Sequence, residues 1–245
     1  EILNQFSNIR YIVLKNEDFK INDPWHREFV TRNASIRGLF DAEKEDTILI
    51  SDIDEIIAPN KIQRSSSKIF LYELSWNLFF YDYMALNVTW KHPCSFPFHI
   101  LRKYSIMDMR TIYRSVKNGR SNEKYFELRA KGYCEIREAG SHFSYIPKNF
   151  SKDNNYFDIL YKSIKKKINS FPKDWVPSKY REFNISKEKF FLLYYFGVDF
   201  LGTNHLWVKC KNPLVHFEKS DQKIIKKYLN TTKSNTFLSI KDSLY

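Results

Sequence analysis

Two carboxylates spaced two residues apart, Asp52 and Asp54, follow the apolar run Thr47-Ile-Leu-Ile50, and Glu55 comes directly after them. The run, from Asp46 to Ser51, reads as a central parallel strand with both faces covered, because its burial pattern is continuous rather than alternating. Alternate residues at a strand end point the same way, so Asp52 and Asp54 can face one site. Two such carboxylates offer hard oxygen ligands for Mg²⁺ or Mn²⁺. An ion held there can bridge the diphosphate of a sugar nucleotide and neutralise charge on the leaving nucleoside diphosphate. A bare Asp-x-Asp is also what solvated carboxylates in a turn look like.

The elements that must position these groups are legible around them. Ile9-Arg-Tyr-Ile-Val-Leu14 is β-branched and aromatic and reads as a strand. Asp23-Pro24 is a helix start, with Asp as N-cap and Pro at the first helical position, and the helix is expected to run to Leu39. Trp25, Phe29, Arg32/Asn33 and Ile36 recur on it at helical spacing. Glu73 to Trp90 reads as aromatic-rich strands, clearest over Tyr83–Trp90, whose aromatic side chains are expected in the core. His92 to Pro97 reads as a loop. A short strand is expected around Tyr133–Ile136, then Gly140-Ser-His-Phe-Ser-Tyr145. Asn149 to about Lys179 is polar and lysine-rich, with a basic amphipathic helix over Ile164–Ile168. Phe190–Phe196 is apolar, Gly197–Gly202 a turn, and Leu206–Val208 a further apolar segment; the tail over 231–245 is expected to fray.

The chain has 245 residues, of which 43% are hydrophobic and 17% aromatic, enough for one sizeable core. A single domain over 1–245 is therefore expected. That composition excludes a disordered or fibrous chain. The net charge of +12 suits anionic partners: nucleic acid, acidic lipid or a phosphate-bearing small molecule. A residue bias toward lysine and asparagine would produce the same surface. The cysteines Cys94, Cys134 and Cys210 are scattered and odd in number, which points to a reducing compartment. No apolar run approaches the roughly 20 residues of a membrane span, and Glu1–Phe6 lacks a signal pattern. A cytoplasmic or membrane-peripheral location is expected, or a secretory lumen should the chain be part of a longer eukaryotic protein.

Several motifs in order resemble glycosyltransferase family 17, whose members include β-1,4-mannosyl-glycoprotein β-1,4-N-acetylglucosaminyltransferases. They are Trp25-His-Arg27-Glu28-Phe-Val-Thr-Arg32-Asn33, then Ile50-Ser-Asp52-Ile-Asp54-Glu55-Ile56, then Gly140-Ser-His142-Phe-Ser-Tyr145, Lys167-Ile-Asn-Ser170-Phe171 and Gly197-Val-Asp199-Phe200. The matches cover about Ile9 to Gly202. Ile57 stands where the family has Pro, Ser141 where it has Trp, and Lys173 where many members have His. The family's opening strand is not matched, which implies a fragment, a diverged start or weakened donor binding.

The resemblance implies an α/β, GT-A-like (Rossmann-like) fold with a mixed, mostly parallel central sheet flanked by helices. It implies inverting, Mn²⁺- or Mg²⁺-dependent transfer of a sugar, N-acetylglucosamine in the family, from a UDP-sugar to a glycan hydroxyl. Asp54 is then a metal ligand, Asp52 contacts metal or ribose, and His142 completes the metal site or meets the diphosphate. Arg27, Glu28, Arg32 and Asn33 are placed near the donor, guanidinium groups being suited to phosphate; a surface pair or helix cap is the plainer role for Arg27 and Glu28. An inverting displacement needs a general base, for which Glu55, Glu138 and Asp199 are candidates.

Other readings of the same residues stay open. A haloacid-dehalogenase-type hydrolase also places Asp-x-Asp after a strand, but continues with small residues and Thr rather than Glu55-Ile56-Ile57. A catalytically inactive glycosyltransferase-like chain fits the same motifs. A basic module binding glycan or nucleic acid would use a cationic groove and stacking aromatics; nucleic acid is disfavoured because the aromatics fall in apolar runs. The run Lys162–Lys167, with Lys152 and Lys173, reads as a solvated helix face or as a peripheral contact for acidic glycan or membrane.

Overall fold

The computed structural model describes residues 9–19, 23–78, 83–117, 132–144, 161–162, 165, 207–209 and 218–220. Over these residues the chain is a mixed α/β protein with few helices. The sequence expectations for the Ile164–Ile168 helix, Phe190–Gly202, Asp199 and the 231–245 tail lie wholly or mostly outside them.

Helix α1, Pro24–Ala34, begins as its sequence dictates: Asp23 is extended and its carboxylate accepts a 2.7 Å hydrogen bond from the His26 amide. It stops sooner than expected and continues as a 3₁₀ segment, Ser35–Leu39. Its Phe29 and Ile36 are exposed, so the expected apolar stripe is not the face that builds the core. Helix α2, Ile106–Lys117, adds to the expected elements and starts at a capping box, Ser105-Ile-Met-Asp108. The Asp108 amide donates to Ser105 Oγ at 3.1 Å, and the Ser105 amide donates to Asp108 Oδ2 at 2.8 Å.

Seven strands are described: β1 Thr47–Ile50, β2 Glu55–Ile57, β3 Ile69–Leu78, β4 Tyr83–Trp90, β5 Cys94–Pro97, β6 Tyr133–Ser144 and β7 Trp207–Lys209. The ladders β1–β5, β3–β5, β3–β4, β4–β7 and β2–β6 are all antiparallel, which corrects the expected mostly parallel sheet. The connections explain the correction. Residues 79–82 join β3 to β4; so short a link returns antiparallel, whereas parallel neighbours need a crossover of a dozen or more residues.

Three strand expectations change with it. β1 pairs, among the described residues, only with β5, and Leu49 is exposed, so the run is not buried on both faces. His92–Pro97 is not all loop. β5 lies between β1 and β3 and is buried along its length. Ile9–Leu14 forms no strand: Val13 is 78% exposed, no ladder among the described residues includes the segment, and β propensity without a pairing partner does not make one.

The chain divides into two compact units, one of Glu1–Asp52, Ile62–Tyr72 and Lys91–Ile136, the other of Ile53–Lys61, Glu73–Trp90 and Arg137–Tyr245. In the first, β1, β5 and the start of β3 pack with α2 around Ile69, Leu71, Phe96, Ile100, Tyr104 and Met109. Ile48 and Ile50 of β1 join this core and Leu49 between them does not, which is the period-two alternation of a one-sided strand. A buried polar link sits among these strands. Tyr72 Oη and Ser95 Oγ are 2.7 Å apart, and Tyr72 Oη accepts from the Gln63 amide at 3.0 Å. Full satisfaction is what lets a tyrosine hydroxyl be buried without loss.

In the second unit β2 and β6 form a two-stranded ladder with Glu55 opposite His142, Ile56 opposite Ser141 and Ile57 opposite Gly140. Gly140 has φ +156, and a Cβ there would lie 2.1 Å from the Ile56 carbonyl oxygen. Only glycine lets the strands approach this closely.

Candidate functional site

Most of the sequence candidates among the described residues gather into one cluster in each unit. In the first unit Asp52 is clasped by two guanidinium groups. Arg32 Nη1 donates to Asp52 Oδ1 at 2.7 Å and Arg32 Nη2 to Oδ2 at 2.8 Å, a bidentate fork. Arg110 Nη2 donates to Oδ2 at 2.6 Å. Glu28 holds Arg32 from one helical turn before it, accepting from Nε at 3.0 Å. Burial works against the Arg32 charge, but hydrogen bonding and attraction from Asp52, then Glu28, outweigh it and hold the guanidinium above its ordinary range.

α1 and α2 present these side chains to the carboxylate, and a candidate residue ties the helices together. Asn33 Oδ1 accepts from the Met107 amide at 3.0 Å, satisfying one of the orphan donors in the first turn of α2. Asn33, expected near a donor, thus has a capping function. Arg27 is exposed, with its guanidinium 4.8 Å over the Phe19 ring.

The second cluster sits on β2, β3, β4 and β6. His142 Nε2 lies 3.5 Å from Asp54 Oδ2. The His142 ring is stacked on Trp90 with centroids 4.1 Å apart and flanked by Trp76 at 6.3 Å. Trp90 in turn donates its indole N–H to Glu55 Oε1. Glu55 and His142 are both buried, and Asp54 is 42% exposed at its side chain. Ser141, in the position beside His142, is buried and its Oγ is 3.0 Å from Ser75 Oγ. Glu138 is on β6 with φ 51 and is exposed, apart from these contacts. Asp199 lies outside the described residues.

No family model, no curated protein and no solved structure matches this chain.

As ligands for a divalent ion, Asp54 and His142 fit as a pair. A carboxylate oxygen and an imidazole nitrogen 3.5 Å apart are within about half an ångström of the span set by two bonds of about 2.0–2.2 Å at the right angle of an octahedral ion. Among the described residues no group of three or more His, Cys, Asp or Glu could hold a metal, so further positions would fall to phosphate oxygens and water. Asp52 fits less well, since both its oxygens accept from guanidinium groups.

Arg110 is a functional candidate that the motifs do not include, and Trp76 and Trp90 read from sequence as core residues. Arg110 had a signal: it stands in an apolar helical stripe with Ile106, Met109 and Ile112, and its side chain is only 4% exposed. A charge at such a position requires a partner. The tryptophans had none, because stacking on His142 is set by strand register. Among the described residues, a groove of about 830 Å³ in the first unit, lined by Leu39, Asp41, Glu45, Thr47, Ile48 and Arg64 among others, includes none of the candidates. No described helix is long and apolar enough to cross a membrane.

Proposed function

We propose that this chain is a metal-dependent, inverting glycosyltransferase of GT-A type, moving a sugar from a UDP-sugar, UDP-N-acetylglucosamine by preference, to a hydroxyl of a glycan or glycoconjugate. The reading is supported by motif order, and one observation carries it. Asp54 and His142 come from motifs far apart in sequence, and their side chains approach to 3.5 Å.

Asp54 and His142 would hold Mn²⁺ or Mg²⁺ together with donor phosphates and water. When bound, such an ion offsets negative charge on the departing nucleoside diphosphate. The chain's own part is to fix that pair before the donor arrives, so that little reorganisation accompanies the reaction. Glu55, buried and accepting from the Trp90 indole N–H, is poorly placed to meet an acceptor hydroxyl. Glu138 is solvent-exposed, and Asp199 is the base that the motif match favours. Donor contact by Arg27, Arg32 and Asp52 rests on the resemblance alone. Cys94 and Cys134 stand as thiols rather than disulfides, which is compatible with a reducing compartment, and a cytoplasmic or membrane-peripheral site of action is part of the same proposal.

A second reading, a glycosyltransferase-like chain without transferase activity, is favoured by the Asp52 oxygens being engaged by arginines. Screening nucleotide sugars for Mn²⁺-dependent thermal stabilisation and turnover separates the two. Stabilisation by one UDP-sugar, with turnover lost in Asp54→Ala, is expected. Stabilisation without turnover would favour the inactive reading, and turnover unchanged in Asp54→Ala would remove the metal assignment. The product's anomeric configuration tests inversion, and retention would overturn it.

A further inference from the structure

We infer that Glu55 is a positioning residue for His142, acting through the Trp90 indole, rather than a general base. The inference deepens the metal reading above and rests on it for its consequence, though not for its geometry. Glu55 and His142 are direct cross-strand partners in the β2–β6 ladder, so their side chains stand on the same face. Trp90 of β4 occupies the space over both: its N–H donates to Glu55 Oε1, and its ring stacks on the imidazole at 4.1 Å with planes 27° apart. Trp76 of β3 backs the arrangement, 5.6 Å from Trp90 and 6.3 Å from His142.

A buried carboxylate accepting from an indole has a geometric use. Stacking on imidazole sets an indole's in-plane offset only loosely, because stacking is attractive over a broad range of offsets. The hydrogen bond to Glu55 fixes that offset further. It pins the indole, and the pinned indole sets the plane in which His142 presents Nε2 toward Asp54. The neighbouring contacts serve the same end: Gly140 draws β6 against Ile56, and Ser141 is tied to Ser75. Supporting contacts of this kind affect metal affinity without touching the metal.

The role needs an acceptor oxygen and no proton transfer, so Glu55→Gln is expected to preserve it while Glu55→Ala and Trp90→Phe abolish it. On the full chain, Mn²⁺ alone is titrated by calorimetry, and the His142 imidazole ¹⁵N resonances, identified by their loss in His142→Gln, are recorded without metal. Expected for Glu55→Ala and for Trp90→Phe is Mn²⁺ affinity weaker by about tenfold, with displaced His142 resonances. Expected for Glu55→Gln is affinity within about twofold of the parent, well inside the effect that loss of a supporting contact brings, and unmoved resonances. The double variant Glu55→Ala/Trp90→Phe is expected to be no weaker than either single one, since both break one link.

Unmoved His142 resonances in folded Trp90→Phe would overturn the inference, as would turnover abolished by Glu55→Gln with Mn²⁺ binding intact. Should Glu55→Ala fail to fold, Trp90→Phe and Glu55→Gln carry the comparison by themselves. Absence of Mn²⁺ binding by the parent chain would sink the metal reading instead, and the resonances would still decide the positioning role.

Discussion

Asp52 and Asp54 are separated by one residue, yet they belong to two kinds of chemistry. Asp52 takes its partners from helices: a bidentate fork from Arg32 on α1 and a third hydrogen bond from the buried Arg110 on α2. Asp54 takes an imidazole from a strand, within a cluster of indoles and a buried glutamate. The first arrangement is neutralised by formal charge. In the second, the aromatic rings support an imidazole beside a carboxylate that stays 42% exposed. Both Asp52 oxygens accept from guanidinium groups, whereas Asp54 meets His142 through Oδ2. Spacing alone does not separate these roles.

The comparison can be broken most forcefully at Gly140. An alanine Cβ there meets the Ile56 carbonyl oxygen at 2.1 Å, so Gly140→Ala is expected to cost on the order of 3–5 kcal/mol by urea unfolding. In the first unit the Cβ of Gly38→Ala meets only the flexible Ile12 side chain, at 3.6 and 3.9 Å, and the change is expected to shift stability by less than about 1 kcal/mol. Equal effects would show that the close β2–β6 approach is not a constraint.

Arg110→Ala is the next largest. Removing a buried cation from the Asp52 clasp, and leaving space beside Met109, is expected to cost about 2–4 kcal/mol. Arg110→Met, which keeps most of the volume, should recover about half of that. Identical losses would mean that shape and charge are not separable there. A double-mutant cycle on Arg32 and Asp52 should give a coupling near 1 kcal/mol, reduced from that of a buried pair because Asp52 is 36% exposed. Asn33→Ala should cost about 1 kcal/mol through the lost cap on α2, with no change in Mn²⁺ affinity. A fall in that affinity would move Asn33 from capping to the site.

The smallest effect is electrostatic and lies at the surface of the first unit. The hydrogen bond from Arg10 holds the Asp41 carboxyl below the usual carboxylate range, and the Lys15 amide and then Arg37 do the same for Asp18. A carboxyl depressed in the folded state stabilises it fully above the unfolded value, about 3.9 for aspartate. That contribution is lost as pH falls through the lower folded value. Asp41→Asn should therefore flatten the acid limb of stability against pH slightly, more visibly at low salt. An unchanged limb at low salt would show that the pair contributes nothing.

Some of this was legible in the residues. Asp23-Pro24 fixed where α1 starts, because an N-cap acceptor and a proline at the next position are local chemistry. The β-branched and aromatic run Tyr83–Trp90 is β4 as expected. The Asp46–Ser51 run was legible as a strand but not as a one-sided one, since its direction and cover depend on β5, a segment that reads as loop. The period-two argument for Asp52 and Asp54 fails locally. β1 ends at Ile50, and residues 53 and 54 form a turn, so alternation no longer sets side-chain direction.

The sequence by itself determined the acidic segment and the helix cap before it, because each is a matter of neighbouring residues, and it marked the Gly140–Tyr145 motif without showing that the short strand expected around Tyr133–Ile136 runs on through it to Ser144. Tertiary structure alone decided which carboxylate meets arginine and which meets histidine. The residues that make the difference, Arg110, Trp76, Trp90 and His142, arrive from distant segments through helix packing and strand register. Their encounter is governed by burial and hydrogen-bond satisfaction summed over whole elements, and no window of sequence contains that sum.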